Sequence, residues 1–240
     1  MLTQFRRALI RSKLFQYRGS RFIYLVMEMG SRTIFRFFPD YVTIPTPYGK
    51  FSMRKSARLF STMIDFVEPQ VQEFFHNKVK NANVFVDVGA AYGWYTLKAA
   101  RLMRNPRVIS IEPDIYSIHI LQANIHNNNL LNCVTLVNAA LADYDGYIRL
   151  CGRVMRCRRL DGLLQDLHLS YRDVDFVKID VEGMALRVLK GMKSLISEGR
   201  PALLIELHEG EEEVPVFLKN MGYKVELCPG LMITAEALSK

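Results

Sequence analysis

At 240 residues, 50% of them hydrophobic and 23% charged, the chain can bury a sizeable core, which excludes a disordered or fibrous polypeptide. The formal charge of +8 is unevenly spread: residues 1–60 hold 12 of the 32 Lys and Arg but only two of the 24 Asp and Glu. What remains is close to neutral, which argues against a broad nucleic-acid-binding face on the main body of the chain.

The basic quarter begins with MLTQFRRALIRSKLFQYRGSRFIYLVM (1–27), where Leu2, Phe5, Leu9, Ile10 and Leu14 fall near one helical face and Arg6, Arg7, Arg11 and Lys13 populate much of the rest. Such a helix suits the headgroup region of an anionic membrane, and peripheral contact through residues 1–27 is one expectation. A helix packed on the following domain and an organelle transit peptide fit the same pattern. The longest apolar run, Phe22 to Met27, stops at Glu28 and is too short to span a bilayer, so a cytoplasmic protein, at most peripheral, is expected. Next, YVTIPTPYGKFSMR (41–54) alternates around a Pro/Gly turn as a hairpin does, and a helix is predicted from Glu68-Pro69. Residues 1–60 are thus read as a basic extension and 61–240 as the main domain.

From Asn83 onward, short apolar runs alternate with segments of helical period. Strands are predicted at 83–88 (NVFVDV), 107–112 (RVISIE), 133–138 (CVTLVN), 174–180 (VDFVKID), 201–207 (PALLIEL) and 222–228 (GYKVELC). Helices are predicted over Tyr95–Met103, Ile115–Asn127, Gly183–Glu198 and Glu211–Met221. Several strands are apolar almost throughout, as strands buried on both faces should be, and the pattern reads as a doubly wound α/β domain with a mostly parallel sheet. The four cysteines, Cys133, Cys151, Cys157 and Cys228, show neither a CxxC pair nor zinc-finger spacing and are expected to be free, mostly buried thiols.

The first of these strands ends in Asp87-Val88-Gly89-Ala90-Ala91-Tyr92-Gly93 and runs into a helix. Gly89 and Gly93 mark a tight turn that lets a ligand approach the backbone, and the helix start offers free N–H groups. GxxxG with an acid two places ahead favours a ligand bearing an amino group and a carboxylate over a diphosphate, which GxGxxG would grip. Glu112, 25 residues beyond Asp87, ends the second strand where a carboxylate can accept both ribose hydroxyls.

VDVGAAYGWYTL, IEPD, NAALADYDG, RRLDGLL, VDFVKIDVEGMALRVLKGM and PALLIELHE, in this order, resemble the FkbM family of S-adenosylmethionine-dependent methyltransferases over about residues 64–228. KIDVEG followed by VLKG is the most specific part. The resemblance implies a Rossmann-like class I methyltransferase fold, S-adenosylmethionine as cofactor, and methyl transfer to an oxygen of a sugar, glycan or other small acceptor. It places Asp87, Gly89, Ala90 and Gly93 in the cofactor loop, Glu112 with Pro113 at the ribose, and Ala140-Leu141 beside adenine, with Asn138 and Asp143 near them. Ala91 departs from the family, which often has asparagine there.

Methyl transfer from a sulfonium needs alignment and removal of the acceptor's proton. Asp180, Glu182 and His208, at or just beyond strand ends, are the candidate catalytic residues, and Asp180 is also a candidate beside the methionine moiety. Asp180 could instead cap a helix, Glu182 could hold the turn, and His208 could be an ordinary surface residue. Asp180 and Glu206 together could grip a divalent ion, but the usual amide companion is missing after Glu206, where Leu207 stands, so no metal is expected. Lys178 shares strand parity with Asp180 and can neutralise these acids. Trp94 and Tyr95 could stack on a sugar, though packing on the sheet is the commoner use. The acceptor pocket is expected from the hairpin at 41–54, the 151–159 segment and the loops after the fourth and fifth strands. Arg153, Arg156, Arg158 and Arg159, with the basic N-terminus, support the alternative of an RNA or protein methyltransferase.

Overall fold

A run such as VFVDV can satisfy its backbone in an apolar interior only by pairing on both sides. In the computed structural model, which describes residues 40–54, 69–150, 152–228 and 231–238, β3 (Val84–Val88) is buried along its whole length inside a seven-stranded sheet. Its partners are β4 (Val108–Ile111) on one side and β9 (Val174–Ile179) on the other, both parallel to it. β5 (Val134–Val137) continues the parallel set beyond β4, and β10 (Ala202–Glu206) continues it beyond β9. The sheet is completed by β12 (Met232–Ala237), antiparallel to β10, and by β11 (Tyr223–Leu227) at the edge.

The sequence reading did not foresee β12. MITAEA lacks the β-branched alternation that signals a strand, yet four of its residues, Met232 to Ala235, are buried because β12 is threaded between β10 and β11. Neither did it foresee the three-stranded sheet formed by β6 (Ala140–Leu141), β7 (Gly146–Leu150) and β8 (Arg153–Arg158), in the order β6-β8-β7. Its inner face packs Cys157, Ile148 and Leu150 against Ala140, Ala142 and Met184.

Helices cover the main sheet: α1 (Pro69–Val79), α2 (Trp94–Leu102), α3 (Ile115–Asn127), α4 (Leu160–Asp166), α5 (Ala185–Lys190) and α6 (Glu213–Asn220). The helix predicted over 183–198 is interrupted. α5 stops at Gly191, where a Cβ would stand 2.0 Å from the Ala142 carbonyl oxygen, and a separate π turn spans Leu195–Gly199. Both Tyr95 and Trp94 pack within the fold: Tyr95 lies 4.9 Å from the Phe75 ring, and Trp94 meets Tyr48 and Phe51 edge-on.

The hairpin of β1 (Tyr41–Thr46) and β2 (Gly49–Arg54) forms as predicted, and residues 43–52 belong to the same compact unit as 68–240. Asn124 on α3 and Asn128, which follows its last turn, hold it. Asn128 exchanges hydrogen bonds with the backbone N–H and carbonyl of Lys50, and Asn124 does the same with Ser52. Four residues of helix rise about 6 Å and two residues of strand about 6.6 Å, so side chains at i and i+4 can stand in for a neighbouring strand. Asn124 is fully buried, and each backbone group left without it should cost about 1–3 kcal/mol. Asn124→Ala is therefore expected to speed hydrogen exchange at the Ser52 amide while leaving exchange in β3 and β9 unchanged.

Among the described residues no helix is long and apolar enough to cross a membrane. The amphipathic segment 1–27 and Cys151 lie outside the described residues. Cys157 is buried and Cys133 partly so, both as free thiols.

Candidate active site

Beyond Val88 the chain turns through three left-handed residues: Gly89 with φ 74°, Ala91 with φ 48° and Gly93 with φ 89°. A Cβ on Gly89 would stand 1.9 Å from the Asp180 carbonyl oxygen, and one on Gly93 would meet Leu121 Cδ1 at 2.2 Å. The immediate reason for both glycines is therefore the approach of the protein's own chain, with the left-handed backbone added. Ala91 has no such excuse. Its N–H donates to Glu112 Oε2 at 2.8 Å, which holds it in a conformation costing a non-glycine residue about 1–2 kcal/mol.

Glu112 follows β4 and is 7% exposed, and its other oxygen, Oε1, accepts from the Asp114 N–H at 2.8 Å. Burial pushes its pKa up against the pull of these two N–H groups. Each carboxylate oxygen retains a second lone pair for a ligand. Asn138 donates to the carbonyls of Glu112 and Pro113, so these three predicted residues meet the glycine loop at one edge. Ala140 and Leu141 are 4% exposed, in β6, paired with Cys157 and Arg158. Asp143 forms an ion pair with Arg187.

Asp87 has no exposed surface. Its Oδ2 accepts from the Thr96 hydroxyl at 2.7 Å, and its Oδ1, buried and without a hydrogen-bond partner, lies 3.8 Å from Lys178 Nζ. It supports the loop from beneath rather than offering an oxygen to the crevice. Lys178, 3% exposed, also donates to Asp180 Oδ2 at 3.0 Å and sits 5.1 Å from the Tyr95 ring centroid. Burial opposes the ammonium charge, but Asp180 and Asp87 hold its pKa above the ordinary lysine range. Burial likewise opposes charge on Asp180, and Lys178 and His208 outweigh it, holding Asp180 well below the usual carboxylate range.

The parallel register of β9 and β10, with Ile205 level with Ile179, brings Asp180 and Glu206 to adjacent strand ends. His208 follows two residues later, and one donor atom from each of the three lies within 4.8 Å of the others. His208 Nε2 stands 3.8 Å from Asp180 Oδ1, a charge contact too long for a hydrogen bond, which raises the imidazole pKa. Burial and Asp180 raise that of Glu206. Glu182 is exposed in the turn after Asp180.

Glu211 was not anticipated. It is 5% exposed; Oε1 accepts from the Ala185 N–H at the start of α5 and Oε2 from the His208 N–H at 2.8 Å. It thus fixes the backbone that carries His208 and the first turn of α5. In HEGEEE it reads as one of several solvated acids, and no sequence signal separates it from its neighbours.

The family model of the methyltransferase FkbM domain matches residues 150–225, which include Asp180, Glu206, His208 and Glu211. Residues 150–225 are thus similar to an FkbM methyltransferase domain. Solved structures extend the likeness to the fold. One is a methyltransferase FkbM from Methylobacillus flagellatus KT, 19% identical, TM-score 0.50, over 75% of this chain and 54% of that one. The chain therefore spans about half the length of that relative. Another is a precorrin-6y C5,15-methyltransferase from Geobacter metallireducens GS-15, 18% identical, TM-score 0.51, over 71% of this chain and 88% of that one. A third, described as a putative rRNA-methylase from Clostridium thermocellum, is 16% identical, TM-score 0.53, over 72% and 96%. At these identities the structures establish a class I methyltransferase fold and nothing of the acceptor. No curated protein matches the chain.

Proposed function

We propose that the protein transfers a methyl group from S-adenosylmethionine to an oxygen of a sugar, glycan or similar small acceptor. The observation that carries this reading is the cluster of Asp180, Glu206 and His208, half-buried at adjacent strand ends, with the Asp180 backbone against Gly89 of the glycine loop. A hydroxyl acceptor needs its proton removed as the bond forms, and three titratable groups converge where the crevice of such a sheet receives ligands.

The residues suit the cofactor. Glu112, with lone pairs to spare, can take the ribose hydroxyls beside Pro113 and Asn138, Ala90 and exposed Ala91 line the turn, and Asp180, whose backbone packs on Gly89, can take the methionine side. When bound, the cofactor supplies an electrophilic methyl on a sulfonium. The chain's residues align the acceptor oxygen with that methyl, so that the O–C bond forms as the S–C bond breaks. The acceptor proton leaves at the cluster.

The RNA reading has less behind it than the sequence suggested. Arg153 pairs with Asp114, and Arg158 and Arg159 both pair with Asp145, so three of the four arginines are engaged within the fold. Labelled-methyl transfer to a panel of sugars and glycans, against total RNA at several salt concentrations, tests the choice. Incorporation into RNA alone would overturn the proposal. Glu112→Ala should weaken S-adenosylhomocysteine binding in calorimetry by tenfold or more, about 1.5–3 kcal/mol for a charged hydrogen bond.

A further inference from the structure

We propose that Asp180, Glu206 and His208 form a divalent-cation site, taking a borderline transition-metal ion such as Mn2+ or Zn2+. The inference rests on the reading of these strand ends as the transfer site and adds how the acceptor is held there.

The sequence argued against a metal because Leu207 occupies the place of an amide companion to Glu206. The structure supplies a different third donor one residue further on. His208 Nε2 is buried, has no hydrogen-bond partner, and is turned toward Asp180 Oδ1 at 3.8 Å. That gap is too wide for a hydrogen bond and suits two donors sharing one ion. Donors at about 2.1 Å from a common cation stand about 3 Å apart when adjacent and at most about 4.2 Å when opposed. The three donor atoms lie within 4.8 Å of one another, so a contraction on the order of an ångström brings them onto one ion.

The surrounding bonds leave these lone pairs available. Lys178 engages Asp180 through Oδ2, so Oδ1 is the atom facing His208. The His208 backbone is fixed by Glu211, which orients the ring without using either ring nitrogen. Charge points the same way. Asp87, Asp180 and Glu206 place three carboxylates around the single ammonium of Lys178, and a dication balances the excess. One imidazole with two carboxylates favours Mn2+ or Zn2+ over Ca2+, which prefers an all-oxygen shell. Three protein donors leave positions open for the acceptor. A hydroxyl bound there becomes more acidic and gives its proton to water, and its oxygen is then fixed for attack on the methyl carbon.

The test uses the full chain, stripped with a chelator and dialysed. Titration with Mn2+, followed by electron paramagnetic resonance of the free ion, is expected to show one bound ion per chain. His208→Gln and Glu206→Gln should each weaken that binding by roughly tenfold or more. S-adenosylhomocysteine binding, measured by calorimetry on the same samples, should persist in both variants and shows that they are folded. Absence of stoichiometric binding of both Mn2+ and Zn2+ by the wild-type chain would overturn the cation site, as would unchanged binding in both variants. Wild-type chain that fails to bind S-adenosylhomocysteine would instead overturn the methyltransferase reading, whatever the metal result.

Discussion

Replacing Asp180 by asparagine is expected to lower the rate of methyl transfer by about 10²–10⁴-fold while changing S-adenosylhomocysteine affinity far less. Asparagine preserves the shape but removes the charge that both Lys178, at 3.0 Å from Oδ2, and His208, at 3.8 Å from Oδ1, respond to. Without it the imidazole loses the largest of the influences that raise its pKa, with Glu206 and Glu211 left, and the oxygen facing His208 belongs to an amide. Single-turnover transfer of labelled methyl, with calorimetry on the same variant, separates chemistry from cofactor binding. A rate within twofold of wild type would remove Asp180 from the transfer step and leave it as a partner for Lys178. Glu182→Gln, altering an exposed turn residue outside the cluster, is the matched control and should cost much less.

The largest loss of stability is expected from Lys178→Met. Asp87 would keep its Thr96 bond but lose the one ammonium near its buried, unpartnered Oδ1. Removing one partner of a buried ion pair costs about 3–5 kcal/mol. For a chain of this size that lowers the thermal midpoint by roughly 6–20 °C. The sign of the pH dependence follows from Asp87, whose pKa burial already raises. In the variant it rises further, and a carboxylate whose folded-state pKa exceeds its unfolded value costs stability as pH climbs above the unfolded value. The deficit against wild type should therefore shrink toward acidic pH. Asp87→Asn added to Lys178→Met should recover part of the loss, because no buried charge is then left alone. A deficit that is flat with pH, or that the second substitution deepens, would mean Lys178 acts through packing on Tyr95 instead.

Much of the architecture was legible because its causes are local. The strands predicted at 83–88, 107–112, 133–138, 174–180, 201–207 and 222–228 all form at or within those limits; β3, β4, β9 and β10 were the plainest, since buried parallel strands admit few polar residues, while β11 is an antiparallel edge strand. The left-handed glycines and the strand-end acids were legible for the same reason: a tight turn needs Gly89 and Gly93, and a strand end is where a carboxylate can face a crevice. α3 was readable down to its ends, with Asp114 capping it through the Ser117 N–H.

What the tertiary structure alone decided concerns residues whose roles come from neighbours distant in sequence. β12 is a strand because β10 and β11 leave a gap of one strand between them, not because MITAEA favours extension. Asn124 and Asn128 read as polar helix residues until the hairpin lies beside them and needs its backbone satisfied. Asp87 resembles a ligand-facing acid in sequence, yet the packing of α2 over β3 turns it inward to Thr96. Glu211 could be told from the other acids of HEGEEE only once its oxygens were seen bridging Ala185 and His208. The sequence by itself determined six of the seven strands of the main sheet and their order along the chain, because hydrophobic period and turn chemistry act over a few residues. Which of those polar groups face the crevice, which lie beneath it and which face one another at 3.8 Å was decided by strand register and helix packing, which join residues far apart in the chain.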